Sequence, residues 1–305
     1  MDVVTFRDLE PKDDFMMLMD IAFWWPKSPR NMEEKITSDV RLKNGPVGFC
    51  AVEHDRLIGY VGVMDIPTKT AAGDIETVGG IWAVATNPGL ARRGICKLLM
   101  ERSHQYFQSR GYRFSFLCTS RTIIAYRIYR EMEYEEVEAV NAFKAVYKVI
   151  DKPQPPFSMQ PGYLEPDAIY ALHARFAQGR CGFVVRQGDF VSAYSRWKRF
   201  DEAKSIYLPN GYALLSDNQN VTKVQDMAAL DYDTYAELID RTERQARAGV
   251  INRSVADPEL LDLYRSKGYR VQDVSNSVVM VKHLADAGFD QVYSKSFYIA
   301  PLDWF

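Results

Sequence analysis

The 305-residue sequence predicts a mixed α/β (α+β) fold built from two similar domains, each a mixed, mostly antiparallel sheet flanked by helices. Three observations carry this expectation. A chain of this length exceeds what one hydrophobic core ordinarily serves. Prolines gather at 153, 155, 156, 161 and 166, and proline, which lacks a backbone N–H, resists both helix interiors and central strands. The run Ile128-Tyr129-Arg130-Glu131-Met132-Glu133-Tyr134 returns as Leu263-Tyr264-Arg265-Ser266-Lys267-Gly268-Tyr269, with both tyrosines and the arginine kept. The predicted organisation is a first domain over 1–150, a Pro-rich linker over 151–167, a second domain over 168–283 and a tail over 284–305.

The elements follow from apolar periodicity. In the first domain it predicts a strand at 3–7, helices at 13–22 and 32–40, and strands at 47–53 and 57–64 joined as a hairpin at His54-Asp55. A strand at 77–85 leads into a long helix at 94–110, whose leucines and methionine share one face. A strand at 114–118, a helix at 122–131 and two closing strands at 134–140 and 143–149 complete the unit. Beyond the linker, 168–178 and 189–200 read as helices, 206–215 and 221–228 as strands, and 233–247 as a helix. In both halves the repeated run lies on a helix that follows a short strand and a long helix ending in Gln-x-Arg, at Gln108 and Arg110, then at Gln245 and Arg247.

Composition narrows the function classes. Hydrophobic residues at 47% and charged residues at 26% are those of an ordinary globular protein. With 38 Lys plus Arg against 40 Asp plus Glu, no overall field draws in nucleic acid or anionic lipid, so any anion site is local. The absence of a leader-like start or a long apolar run leads to the expectation of a cytoplasmic protein. Cys50, Cys96, Cys118 and Cys181 lack metal-ligand spacing and are expected as free thiols, with no metal. His54, His104, His173 and His283 are equally scattered and are expected to be structural or solvated.

One segment carries chemistry. Val84-Ala85-Thr86-Asn87-Pro88-Gly89-Leu90-Ala91-Arg92-Arg93-Gly94-Ile95-Cys96-Lys97 reads as a strand end, a turn and the start of a helix. A helix N-terminus offers unpaired N–H groups and partial positive charge. Gly94 permits close approach of a phosphate, and Arg92 and Arg93 add charge around it, which suits a diphosphate ester.

This segment resembles the signature loop of the GNAT N-acetyltransferase superfamily, in which a Val-x-Pro strand end precedes Arg or Gln, two residues, Gly, one residue, then Gly or Ala. Ala91 and Cys96 depart from that pattern. The resemblance implies acetyl-CoA as co-substrate, its pyrophosphate held by Ala91, Arg92, Arg93, Gly94, Ile95, Cys96 and Lys97. It extends to Thr122-Ile123-Ile124-Ala125-Tyr126-Arg127-Ile128-Tyr129, similar to the family helix Asn-x-x-Ala-x-x-x-Tyr, with Thr122 and Glu133 as further departures. By that likeness Tyr129 is the acid that protonates the departing thiolate; a simple buried aromatic is the alternative.

Acyl transfer also asks backbone groups of Val84, Ala85 and Thr86 to line the pantetheine arm and polarise the thioester, and a base to take the amine proton. Glu76 is the first candidate for the base, Asp65 the second and the Phe305 terminal carboxylate the third. Trp24 and Trp25 are candidates for a wall of the acceptor pocket. In the second half, Val224-Gln225-Asp226-Met227-Ala228-Ala229-Leu230-Asp231 has carboxylates where the first has Gly and Arg, so that domain is expected to be degenerate and Tyr264 structural.

The stretch from His173 to Trp197 resembles the second domain of enhanced intracellular survival type acetyltransferases, without the sterol-carrier-like domain those proteins usually add. The expected function is acetyl transfer from acetyl-CoA to a primary amine, on a small molecule or a protein, by direct transfer in a ternary complex. The alternative is a catalytically decayed acyl-CoA binding or sensing protein. Nucleic-acid and membrane partners are not expected; an oligomer is compatible with the sequence.

Overall fold

The computed structural model describes residues 1–24, 28–141, 143–151, 166–186, 190–196, 199–273, 276–294 and 296–304. Its elements are β1 (Asp2–Thr5), α1 (Asp13–Phe23), α2 (Pro29–Ser38), α3 (Val40–Lys43), β2 (Gly48–Glu53), β3 (Arg56–Lys69), β4 (Ile75–Thr86), α4 (Ile95–Ser109), β5 (Phe114–Ser120), α5 (Ile124–Glu131), β6 (Glu135–Glu136), α6 (Glu138–Asn141) and β7 (Lys144–Val149). Then come α7 (Pro166–Phe176), β8 (Cys181–Gly182), α8 (Phe190–Arg196), β9 (Ile206–Leu208), β10 (Gly211–Asn218), β11 (Val221–Ala229), α9 (Tyr232–Gln245), β12 (Gly249–Val255), α10 (Pro258–Ser266), β13 (Arg270–Asp273), β14 (Ser277–His283), α11 (Phe289–Val292) and β15 (Phe297–Tyr298).

Local chemistry explains most boundaries. The hairpin between β2 and β3 turns on His54 and Asp55 at φ 50° and 57°, the paired positive dihedrals that match strand twist. Ser28 caps α2 in a reciprocal arrangement with Asn31, and Pro29 starts the helix. Two expected strands differ. Of 134–140 only Glu135–Glu136 is strand and 138–141 is helical, while 206–215 is broken into β9 and β10 by a turn.

The first sheet runs β1-β2-β3-β4-β5-β14-β6 and the second β13-β7-β12-β11-β10-β9. Most pairs are antiparallel, but β4·β5, the equivalent β11·β12 and the short β8·β15 are parallel. The order also corrects the expected closure of each half. β7, expected to close the first unit, lies in the second sheet, antiparallel to β12. β14, from the second half, lies in the first sheet, antiparallel to β5 from Ser277↔Ser120 to His283↔Phe114. The halves thus exchange their last strands, and the sheets do not divide at residue 150.

The residues 284–305, expected as a tail, belong to this body as far as they are described. Tyr293, Phe297 and Ile299 are buried in the core on the α1–α2 face of the first sheet, and β15 pairs with β8. Deep at the junction, the Arg186 guanidinium donates to Asp303 and Asp226, all three side chains being nearly inaccessible. Arg199 donates to the carbonyls of Pro301, Leu302 and Trp304. Satisfying these buried charges pins the chain end against both halves.

Two of the four histidines are buried and bonded within the fold. His104 bonds the Tyr134 hydroxyl at 2.9 Å. His173 bridges the Tyr212 hydroxyl at 2.7 Å and the Val184 carbonyl at 3.1 Å. The four cysteines are free thiols.

Candidate active site

β4 delivers the loop. Its pairing with β3 shifts register between Tyr60↔Ala85 and Gly62↔Trp82, so Ala83 and Val84 bulge out opposite one residue, with Ala83 at φ 50°. A bulge frees backbone groups from the ladder and re-aims them. On its other side β4 pairs with β5 only from Gly79↔Ser115 to Ile81↔Leu117, although the strands continue to Thr86 and Ser120. The two therefore part beside the bulge and leave a slot between them. No sequence signal marked Ala83, since alanine has no special preference for positive φ.

After β4, Asn87 accepts from the Gly89 N–H at 3.0 Å and starts a 3-10 turn over Pro88–Leu90. Arg92 at φ 66° and Gly94 at φ 76° swing the chain into α4, whose N-terminus carries no side-chain cap. The first-turn N–H groups of Ile95, Cys96 and Lys97 thus keep the unpaired donors of a helix start. A Cβ at Gly94 would meet nothing within 4 Å, so the space over this turn is open. Arg92 is exposed and makes no ion pair among the described residues. Arg93, expected to share that role, is instead held by Glu53 through two bonds of 2.7 and 2.9 Å. Lys97 lies 3.8 Å from Glu101.

Tyr129 projects from α5 into the core that packs α4 and α5 against the sheet, together with Ile95 and Cys96. Burial first, and the neighbouring Cys96 thiol second, push its phenol well above the ordinary tyrosine value. It therefore stays protonated at neutral pH, and its hydroxyl has no hydrogen-bond partner among the described residues. Its counterpart Tyr264 differs. That hydroxyl accepts from Asn252 Nδ2 at 3.2 Å and donates to Met227 Sδ at 3.8 Å. The helix start that matches α4 is also filled, because the Asp231 carboxylate caps α9 by accepting from Thr234 N–H at 2.7 Å.

The other candidates are not gathered here. Glu76 stands near the start of β4, eight residues before Val84, a span of roughly 26 Å along a strand. There it accepts from Arg113 at 2.9 Å and from the Tyr293 hydroxyl at 2.6 Å. Asp65 accepts from the Tyr106 hydroxyl at 3.2 and 3.3 Å, and burial raises its carboxyl. Trp24 is 87% exposed, just past the end of α1. Trp25 and Phe305 lie outside the described residues. Trp304, however, packs against the core cluster that Ala83 and Cys118 also border. Burial raises the Cys96 thiol, which keeps it largely protonated at neutral pH.

Sequence comparison decides what kind of domain this geometry belongs to. Residues 8–137 match the profile described as "Acetyltransferase (GNAT) domain". Over those residues the chain is similar to a GNAT acetyltransferase domain. No curated protein matches its sequence, but solved structures share its fold. A conserved protein of unknown function from Enterococcus faecalis V583, titled "Probable N-Acyltransferase", aligns over 93% of this chain and 72% of its own at 14% identity, TM-score 0.64. Eis1 from Mycobacterium abscessus aligns over 93% and 74% at 16% identity, TM-score 0.62. A tandem GNAT protein from the clavulanic acid biosynthesis pathway aligns over 94% and 99% at 13% identity, TM-score 0.54. The two halves together thus share the fold of these structures. Among the described residues no helix is long and apolar enough to cross a membrane, and no group of three or more His, Cys, Asp or Glu is placed to hold a metal.

Proposed function

We propose that this protein is an N-acetyltransferase that moves an acetyl group from acetyl-CoA directly to a primary amine. The observation that carries the reading is the continuity of one uncapped, glycine-opened helix start with the slot where β4 and β5 part. A diphosphate fits the first and an extended thioester arm fits the second. Acetyl-CoA supplies the activated thioester; the chain supplies everything else.

The N–H groups of Gly94, Ile95, Cys96 and Lys97, with the Arg92 side chain, hold the pyrophosphate. Backbone groups of Ala83, Val84, Ala85 and Thr86 align the arm, and an N–H freed by the bulge faces the carbonyl oxygen as it gains negative charge. The amine nitrogen forms its bond to the carbonyl carbon as the C–S bond breaks. The Tyr129 hydroxyl, protonated and without another partner, gives its proton to the departing sulfur, and solvent returns that proton. The amine proton leaves to water.

Calorimetric titration with acetyl-CoA, followed by thiol release with a panel of amines, tests the reading. Micromolar binding and turnover are expected. Binding without turnover on any amine would favour an acyl-CoA sensor, and no binding would overturn the proposal.

A further inference from the structure

We infer that the second half supplies the acceptor site, and that this site selects amines that also carry an anionic oxyacid group, a carboxylate or a phosphate. The inference rests on the acetyltransferase reading and adds the substrate class.

The site is a cavity of about 450 Å³ floored by β11 and β12 and walled by the chain end at Pro301 and Trp304. Lys223 and Gln225 on β11, and Ile251 and Arg253 on β12, line it together. The period of two puts alternate residues of each strand on one face, and the register Lys223↔Ile251 sets the two strands' sets side by side. Two links join the cavity to the first domain. Ser277, on its lining, pairs with Ser120 at the end of β5, beyond the point where β5 leaves β4. Trp304, also on its lining, packs on the core cluster bordered by Ala83 of the bulge.

Its chemistry is one-sided. Three ionisable side chains line it: Lys223, Arg253 and Asp273. Asp273 is already matched by the Lys144 ammonium at 2.5 Å. Lys223 and Arg253 make no ion pair among the described residues. Ser254 and Trp304 also line it, but their Oγ and Nε1 atoms have no accessible surface and do not reach its interior. Two unpaired cations beside one cavity, with the Asp273 carboxylate already matched, ask for a ligand rich in acceptor oxygens, and they disfavour a polycation. The acceptor's amine then points toward the slot between β4 and β5, while its anionic end sits on Arg253 and Lys223. The transfer itself forms the C–N bond, breaks the C–S bond and releases the thiol, as above.

Four acceptors separate the possibilities: 4-aminobutyrate, 3-aminopropyl phosphate, the uncharged 4-aminobutanamide and the dicationic 1,4-diaminobutane. Thiol release should give kcat/KM at least tenfold higher for one of the anionic pair than for the amide, with the diamine poorest. The carboxylate and phosphate arms then decide which oxyanion is preferred. In the double variant Arg253→Gln, Lys223→Met the ratio of anionic to neutral acceptor should fall toward one. Preference for the diamine or the amide, or an unchanged ratio in the variant, overturns the inference. Calorimetry with 4-acetamidobutyrate and with inorganic phosphate, in the absence of acetyl-CoA, reads the cavity independently of turnover. At least one should bind the unaltered protein and be lost from the double variant; binding of neither overturns the inference. If that binding holds while no amine is acetylated, the transferase reading fails and the cavity assignment stands.

Discussion

Replacing Gly94 by glutamate separates cofactor binding from backbone strain, provided that Gly111→Glu is studied beside it. Gly94 and Gly111 adopt nearly the same left-handed conformation, φ 76° and 73°, and at neither would a Cβ meet any atom within 4 Å. They bracket the same helix, one before its first turn and one just past its last. A non-glycine residue at such φ costs about 1–2 kcal/mol, so both variants should lose about that much stability in chemical denaturation. Only Gly94 faces the proposed diphosphate. At roughly 5 Å and an effective dielectric constant of about 20, a carboxylate there opposes one phosphate charge by about 3 kcal/mol, or about 100-fold in affinity. Titration with acetyl-CoA should therefore show strong weakening for Gly94→Glu and almost none for Gly111→Glu. Equal affinities in the two variants, after equal losses of stability, would refute the placement of the pyrophosphate.

Three further outcomes follow from the same geometry. Tyr129→Phe should lower kcat by about 100-fold or more with little loss of stability, because the hydroxyl bonds nothing, whereas Tyr264→Phe should cost about 1 kcal/mol of stability and spare kcat; steady-state kinetics and urea unfolding check both. His104 and His173 have native pKa values lowered by burial to about 4 and about 3 from 6.5. The unfolded chain therefore binds more protons than the native one below pH 6.5, so the stability from these two rings is complete above that pH and is lost as pH falls. At pH 5 each should have forfeited about 2 kcal/mol, and a denaturation series from pH 7.5 to 5 in which His173→Gln shows an undiminished pH slope would remove this account. Alkylation of Cys96 by iodoacetamide should be slow at pH 7, accelerate toward pH 9 and be suppressed by acetyl-CoA, as read by peptide mass; fast modification at pH 7 would contradict its burial.

The helix start at Gly94 and the helix that carries Tyr129 were legible because their determinants are local. A glycine at a helix start and a tyrosine eight residues along a motif need only the neighbouring chain to take their places. The repeat was legible for the same reason, and its two copies fold alike to the detail of one turn bond, Tyr134 N–H to Tyr129 O and Tyr269 N–H to Tyr264 O, each 3.0 Å. What the sequence hid was distant pairing. β7 and β14 are both short strands with apolar centres, and each could in principle pair with β5 or β12; nothing within either strand says which. Glu76 looked available because its partners, Arg113 and Tyr293, stand 37 and 217 residues away. Arg93 looked free because Glu53 is 40 residues upstream. Ala83 and the cavity beside β11 and β12 leave no trace in composition, since a bulge and a cavity are properties of the assembled sheet.

The exchange of β7 and β14 bears on how such a chain came to be. In a symmetric pair of one-repeat proteins, each partner lending its last strand to the other makes two equal and mutual contacts, and the pair closes on itself. Joining the two copies head to tail would leave the arrangement found here, with β7 beside β12 and β14 beside β5. Such a fusion would leave one copy free to close its helix start. The helix start at Asp231 could acquire a carboxylate and Tyr264 its two partners, while the strand lent by that copy kept the other's sheet complete. A half isolated by cutting the gene at the linker would have to take back its own lent strand or pair with a second copy of itself.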